Sequence, residues 1–349
     1  MQMTRNVVNK TIIASLTLAV GLLCGVSYAA APAIPPATES SLSPSQTGEL
    51  KAYVQYWVDR LKVHKSYSAM AHDANRLLKP LKTASQQPSA VFSYDYGSIV
   101  SRAVRPLLSD PVRQLMVAVI LGRIDDLSTQ SSLEVALKSQ NAGVRYWGAE
   151  GLIRILPQLQ SIPPAYQEAE NHLVAALKVE KSPLVAAKLA LALSQFSPLP
   201  AGVVSSLNRV LGAQAKLFAL RPPTTIAQAG ELAKAFVAVL QAKPQLTTAE
   251  KVSAAANLTD LLSYTCQYWA LKQLSRTQKQ MAPTAMMGFA NALNALTGTT
   301  DFTLSGISAS ANADATLLAV NELTGSQGQA GTIQKIFPKV PIPPRVGSN

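Results

Sequence analysis

A repeat of two helix-forming stretches near the middle of the chain constrains the fold more than any other sequence feature. The second stretch of each copy starts at a large apolar residue, Val144 or Leu184, and these residues are 40 positions apart (184 − 144). In both copies this residue follows the last Leu of the preceding stretch, Leu137 or Leu177, by 7 positions (144 − 137 and 184 − 177). Paired helices with a period of about 40 residues are typical of stacked helical hairpins. The sequence therefore predicts an all-α chain.

Helix-start signals in front of these stretches support the repeat. Asn141 and Ser182 are residue types preferred at helix N-caps, where a side-chain oxygen accepts a hydrogen bond from a free backbone N–H group. Residues 110–113, with the sequence Asp-Pro-Val-Arg, form an earlier and looser copy, because Val112 precedes Val144 by 32 positions (144 − 112). Here we expect Asp110 to cap a helix that begins at the following proline.

At these residues the chain resembles the HEAT-like, armadillo-type family of helical repeats. In that family an acid or amide opens the second helix of a unit, and a Val-Arg pair follows shortly afterwards. The matching pairs in this chain are Val112-Arg113 and Val144-Arg145. The resemblance covers residues 107–196, and the copy that begins at Leu184 lacks the Arg. It implies an α-α superhelix, or solenoid, that holds a protein, peptide or polymer on a concave surface, and it implies no reaction.

Helical periodicity also extends to both sides of the repeat region. We expect an N-terminal helical region at residues 47–106, in which Thr47 caps the first helix, and a C-terminal helical region at residues 197–325. No period is evident after residue 196, so the sequence leaves open whether the C-terminal region continues the stack or forms a separate bundle.

Three local patterns give more detailed predictions. Thr247 and Glu250 have the spacing of a capping box, which marks a helix start. Another helix is expected to start just after Pro283. Gly148 and Gly151 are three positions apart in the repeat region, so they predict the close approach of a neighbouring helix.

The first 29 residues have the layout of a secretory signal peptide. Arg5 and Lys10 are followed by an uncharged run rich in Ile, Leu and Ala, and small residues at Ser27 and Ala29 predict cleavage after Ala29. The alternative is a retained membrane anchor, because the uncharged run approaches the length that crosses a bilayer. We expect an exported protein that lies in the periplasm, at the cell surface or outside the cell, and that is not integral to the membrane after cleavage.

The composition of the expected mature chain predicts the character of its two end segments, its core and its net charge. Residues 30–46 are rich in Ala, Pro and Ser and predict a flexible linker, whereas residues 326–349 are rich in Gly and Pro and predict a disordered, extended tail. An apolar content of 48% is enough for a substantial core. Without Arg5 and Lys10 the net charge is about +10 (31 − 2 − 19), which permits binding to anionic polymers but identifies none.

Motifs that would indicate catalysis or a cofactor are missing from the sequence. It contains no P-loop, no G-x-S-x-G and no H-E-x-x-H. His64 and His72 are poorly spaced for a shared metal ion, and His172 is expected to lie beside Asn171 where a helix begins. Cys266 is expected to be a buried apolar side chain. We therefore predict no catalytic residue, no cofactor and no metal ligand.

The resulting hypothesis is an exported scaffold or binding protein whose partner is a protein or an envelope polymer. Arg113, Arg145 and Trp147, near the expected seams between hairpins, are candidate binding residues. Lys272 and Arg276 are further candidates because they follow an aromatic cluster, although helical spacing favours a core position for those aromatic side chains. Nucleic acid is not the expected partner, since no nucleic-acid-binding motif accompanies the basic residues. Two alternatives stay open: a helical hydrolase or lyase acting on an envelope polymer, and an electrostatic binder of anionic polymer.

Overall fold

The computed structural model describes residues 31–37, 41–82, 88–242, 246–304 and 312–346. These ranges contain helices and no strand, so the all-α prediction is confirmed. The predicted signal peptide lies outside the described residues. The helices are α1 (Pro44–Val63), α2 (Tyr67–Leu78), α3 (Ala90–Val104), α4 (Gln114–Leu121), α5 (Gln130–Ala136), α6 (Ala142–Leu159), α7 (Pro163–Val179), α8 (Pro183–Leu193), α9 (Val203–Leu220), α10 (Ile226–Ala242), α11 (Thr248–Ala270), α12 (Arg276–Thr297), α13 (Ala313–Thr324) and α14 (Thr332–Ile336).

Alternate helices pack side by side in two layers. In one layer the neighbours, in order, are α2, α4, α6, α8, α10 and α12. In the other layer α1 packs on α3, which contacts the short 3-10 turn Leu127–Thr129 in front of α5, and the series continues through α7, α9, α11 and α13. Helices adjacent in sequence also contact each other across the layers, for example α1 with α2 and α11 with α12. As a result, the apolar face of each helix is covered by several neighbours.

One buried apolar cluster connects the whole stack. It extends from Leu50 in α1 to Val340 beyond α14 and includes large fully buried side chains such as Phe92, Phe236 and Phe289. The C-terminal helices α9–α13 therefore share a core with the repeat region, and a separate C-terminal bundle, one of the two possibilities that the sequence left open, is not observed.

Several helix starts lie where capping residues predict them. The side chain of Asn141 accepts a hydrogen bond from the N–H group of Gly143 at the start of α6, and Ser182 caps α8. At α11 the Thr247 hydroxyl accepts from the N–H group of Glu250, while the Glu250 carboxylate accepts from the N–H group of Thr247. The predicted capping box is confirmed.

Other predicted starts are wrong. The first helix is capped by Ser43 rather than Thr47, because Gln46 completes a capping box with Ser43. Asp110 does accept a hydrogen bond from the N–H group of Val112, but residues 111–113 form a turn, and α4 begins at Gln114.

Pro283 lies inside a helix and not in front of one as predicted. It is inside α12, which begins at Arg276 and is capped by Ser275. Proline inside a helix removes one backbone hydrogen bond, and neighbouring packing has to compensate for this loss. Pro283 is buried, which supplies such packing.

The described parts of the two end segments lie against the core. Residues 44–46 of the predicted linker are helical, and the carbonyl oxygen of Ala37 accepts a hydrogen bond from the N–H group of Ser89. In the predicted disordered tail, Ile333 and Val340 are buried. A few apolar residues are enough to anchor these otherwise polar segments. Because these residues are few, the average composition of each segment does not predict that they are buried. Residues 326–346 are therefore packed against the core and partly helical, and not disordered as predicted.

No helix in the described parts of the chain combines the length and apolar character that crossing a membrane requires.

Candidate functional site

A pocket with a volume of about 480 Å³ opens in the central part of the stack. It lies between α5 and α7, next to the segment that leads from α5 into α6. Its apolar lining includes Leu137, Ala176 and Val179, while the exposed residues Lys138 and Lys181 contribute positive charge. The charged or polar side chains Glu134, Arg145, His172 and Glu180 also line the pocket. This combination of an apolar lining with a few converging polar groups is typical of binding sites.

Arg145 and Glu180 form a two-pronged ion pair at one side of this pocket. Arg145 Nε donates to Glu180 Oε2 over 2.7 Å, and Nη2 donates to Oε1 over 2.8 Å. The Arg145 Nη1 atom donates to the carbonyl oxygens of Ser139 and Gln140. Arg145 therefore links the start of α6 to the preceding turn and to the end of α7.

The environment shifts the pKa values of both partners in the direction that keeps them charged. The hydrogen bond with Glu180 raises the pKa of Arg145. Burial alone would raise the pKa of Glu180, but hydrogen bonds from Arg145 and the N–H group of Ser182 outweigh burial and lower it. Because the Glu180 side chain is only 1% exposed, its negative charge depends on these donors.

Arg113 occupies an equivalent position one unit earlier in the chain. Its Nε atom donates to the carbonyl oxygen of Leu61 over 2.9 Å, and another of its nitrogens donates to the carbonyl oxygen of Lys62, near the end of α1. Its Nη1 atom contacts Asp110. Both predicted seam arginines thus have their guanidinium groups engaged within the chain, and Arg113 does not line the central pocket.

Trp147 is half-buried on α6 rather than in the pocket. The guanidinium carbon of Arg123 lies 5.2 Å from the centre of its ring, a cation-π distance. The ring of Tyr146 meets it edge-on at 5.8 Å. The two glycines that follow Trp147 on the same helix, Gly148 and Gly151, are closely approached by a neighbouring helix, as predicted. A Cβ on Gly148 would lie 3.0 Å from the carbonyl oxygen of Leu133, so the two helices approach closely only because this residue is glycine.

The other two predicted binding residues, Lys272 and Arg276, are exposed in and just after the turn between α11 and α12, away from the lining of the central pocket. The preceding aromatic side chains are in the core, since Tyr268 and Trp269 are each only 2% exposed. The interpretation of these aromatic residues as core is confirmed, and they form no stacking surface with the two basic residues.

Cys266 is also fully buried, and burial raises the pKa of its thiol to about 12.

Three residues near the pocket bring potential metal ligands together, which the sequence analysis did not predict. Glu134, Glu168 and His172 place one ligand atom each within 4.8 Å of one another. Glu168 and His172 lie on the same face of α7, four positions apart, and Glu134 comes from α5. His172 lies inside α7, which begins at Pro163, and not at the helix start where the sequence analysis placed it.

A signal for this group was present in the repeat itself. In a stack with a period of about 40 residues, side chains separated by nearly one period lie on neighbouring units. Glu134 and His172 are 38 positions apart (172 − 134), and Arg145 and Glu180 are 35 apart (180 − 145). A search for chemically matched residues at such separations would have found both pairs.

Comparison with protein-family models, with curated proteins and with solved structures finds no match for this chain.

Proposed function

We propose that this chain is an exported α-solenoid scaffold that binds a protein segment or an envelope polymer and catalyses no reaction. The observation that carries the proposal is the side-by-side packing of alternate helices in two layers from α1 to α13. Such packing is what a HEAT-like array requires, because each unit contacts chiefly its neighbours in sequence. Solenoids present long surfaces and pockets at the seams between units, and they act mainly by holding partners.

The central pocket is the site proposed for the partner. Arg145 and Glu180 neutralise each other, so Lys138 and Lys181 supply the accessible positive charge around an apolar lining. This chemistry fits a segment in which an apolar group lies next to an acidic group. The apolar contact would supply most of the affinity, and the lysines would favour acidic over basic partners.

A pair of matched variants tests this assignment. Val179 lines the pocket at the end of α7 and is 74% exposed, whereas Leu220, at the end of α9, is 78% exposed and does not line it. Both substitutions to Asp change a mostly exposed apolar side chain, so neither should disturb folding. We expect immobilised Val179→Asp protein to bind the species captured from envelope extract about tenfold more weakly, a loss of about 1.4 kcal/mol. Leu220→Asp should bind like the wild type.

Two results would contradict the proposal in different ways. Equal binding by wild type, Val179→Asp and Leu220→Asp would place the partner outside this pocket. A purified protein that captures nothing but degrades envelope polymer with turnover would show that the scaffold assignment is wrong.

A helical hydrolase or lyase is the second candidate, and one observation favours it. His172 Nδ1 and Glu134 Oε2 are 3.1 Å apart beside the pocket, and a His-carboxylate pair is a common acid-base arrangement. This candidate predicts that envelope polymer is cleaved by the wild type and that His172→Ala abolishes the cleavage.

A further inference from the structure

We propose that Glu134, Glu168 and His172 bind a divalent transition-metal ion of the Zn²⁺ type, with the central pocket as the open side of the site. One imidazole nitrogen and two carboxylate oxygens form a common ligand set for zinc. Zinc binds such atoms at about 2.1 Å, so two ligands of a tetrahedral ion are separated by about 3.4 Å. His172 Nδ1 and Glu134 Oε2 are 3.1 Å apart, close to that separation.

Glu168, the third ligand, can complete the set by a small movement of its side chain. All three potential ligand atoms already lie within 4.8 Å of one another. Glu168 is exposed, so its side chain is free to rotate toward the other two residues. Since Glu168 and His172 are one helical turn apart, α7 presents both of them to Glu134 on α5.

One buried polar atom of this group, on His172, is unsatisfied, which provides a second observation. His172 Nδ1 is buried and forms no well-directed hydrogen bond with the described residues, although Glu134 is close to it. The Glu134 side chain is 5% exposed, and the hydrogen bond that it accepts from Gln130 is to Oε1, not to Oε2. Buried polar groups in native proteins nearly always have a partner. A cation next to His172 Nδ1 would supply that partner.

Gln130 holds the buried carboxylate in the orientation that the site needs. Its Nε2 atom donates to Glu134 Oε1 over 2.9 Å and to the carbonyl oxygen of Ala165, on α7, also over 2.9 Å. The same side chain thus fixes Glu134 and links the two helices that provide the ligands. Hydrogen bonds of this kind orient the ligands of natural metal sites.

The ligand set also indicates which ion is preferred. Mg²⁺ and Ca²⁺ prefer sites made entirely of oxygen ligands, whereas an imidazole favours Zn²⁺ and its transition-metal neighbours. Three protein ligands leave a fourth position of a tetrahedral ion open. Because Glu134 and His172 both line the pocket, that position is accessible to water or to an anionic group of a bound molecule.

Calorimetric titration of the chelator-treated chain with ZnCl₂, and separately with MgCl₂, tests the proposal. We expect one Zn²⁺ per chain and binding of Mg²⁺ that is weaker by at least a hundredfold. Glu168→Gln and His172→Ala should each weaken Zn²⁺ binding at least tenfold, and Gln130→Ala should weaken it by about tenfold. Co²⁺ should show the visible absorption of a tetrahedral complex, and this absorption should disappear in His172→Ala.

Two control variants separate this site from non-specific binding. Glu170→Gln changes another acid of α7, and His72→Ala removes a histidine of α2, so both should bind Zn²⁺ like the wild type. Glu168 is exposed, so loss of binding in Glu168→Gln cannot be attributed to misfolding. Absence of Zn²⁺ binding by the wild type, or undiminished binding by both Glu168→Gln and His172→Ala, would overturn the proposal. The titration needs no partner molecule, and its result is independent of the scaffold proposal.

Discussion

The central helices α5–α8 and the C-terminal helices α9–α13 bury their seams with different chemistry. In the central region, the buried Glu180 is paired with Arg145 across two helical hairpins. In the C-terminal region, α10 and α12 approach through small residues, and a Cβ on Gly230 would lie 3.0 Å from the Cα atom of Ala285. There, Asp260 is partly buried and forms no ion pair with the described residues. The central region also has a close approach at Gly148, so its distinguishing feature is the buried ion pair and not the presence of glycine. The central seam therefore depends on charge, whereas the α10–α12 seam depends on the close packing of small residues.

Arg145→Ala should give the largest effect, because it removes the ion-pair partner of a carboxylate that is 1% exposed. Breaking a buried pair by deleting one partner lowers the free energy of unfolding by about 3 kcal/mol or more. Urea denaturation followed by circular dichroism measures this loss. The control is Arg154→Ala, since Arg154 is 45% exposed and pairs with Glu150 at the surface. That change should cost less than about 1 kcal/mol. Equal effects of the two substitutions would show that the central ion pair does not stabilise the seam.

The two regions should also differ in the sign of their pH dependence. Burial raises the pKa of Asp260 from 3.8 to about 6, so the folded state binds a proton more tightly than the unfolded state does. The stability that this proton provides is fully present below pH 4 and is lost as the pH rises through about 6. Glu180 has a lowered pKa, so the stability that it provides is present above its ordinary pKa and is lost as the pH falls.

Asp260→Asn tests the C-terminal half of that contrast. At pH 7 we expect this variant to be more stable than the wild type by about 3 kcal/mol, and the gain should vanish near pH 4. Urea denaturation at several pH values between 4 and 7 measures the difference. Glu180→Gln should behave oppositely, with its largest loss of stability at pH 7. A difference between Asp260→Asn and wild type that stays constant with pH would show that folding does not shift the pKa of Asp260.

Gly230→Ala should give a smaller effect in the C-terminal seam. The new Cβ would lie 3.1 Å from the Cβ atom of Ala285, so α10 and α12 would have to move apart. Overpacking of this kind destabilises by about 1 to 3 kcal/mol, which the midpoint of urea denaturation reports. Gly48→Ala is the matched control because nothing lies within 4 Å of the added atom. It should stabilise α1 by up to about 1 kcal/mol, since alanine favours a helix. If both substitutions stabilise the protein, close approach does not limit the C-terminal seam.

The sequence predicted helix starts correctly at positions where a single capping residue determines the start. Asn141, Ser182 and Thr247 cap helices because their side chains satisfy backbone groups within a few positions. Pro283 misled the prediction, since burial in the surrounding core permits a proline inside α12. The tail was also predicted wrongly. There, the buried Ile333 and Val340 outweigh a composition that otherwise favours disorder.

The candidate site was harder to predict because its residues come from different helices. Glu134 and His172 become neighbours only when α5 packs on α7, and no local motif records that contact. Arg145 was identified as a candidate from its position in the repeat, but its interaction with Glu180 depends on the packing of successive hairpins. The sequence therefore points to His172 and Arg145 as residues of interest. Their partners, Glu134 and Glu180, are determined by tertiary structure.

Besides the ion pairs of Arg145 with Glu180 and of Arg113 with Asp110, the arginines at the seams make contacts with main-chain atoms, which do not depend on the side chain at the contacted position. Arg113 binds main-chain oxygens at the end of α1, Arg145 binds those of Ser139 and Gln140, and Arg209 donates to the carbonyl oxygen of Leu177. Every amino acid carries a carbonyl oxygen, so mutations at the contacted positions preserve these hydrogen bonds as long as the backbone keeps its path. At Gln140, an exposed residue of the turn before α6, the side chain can therefore change while Arg145 keeps its hydrogen bond there, whereas Leu61 and Leu177 are core residues whose side chains are constrained by burial.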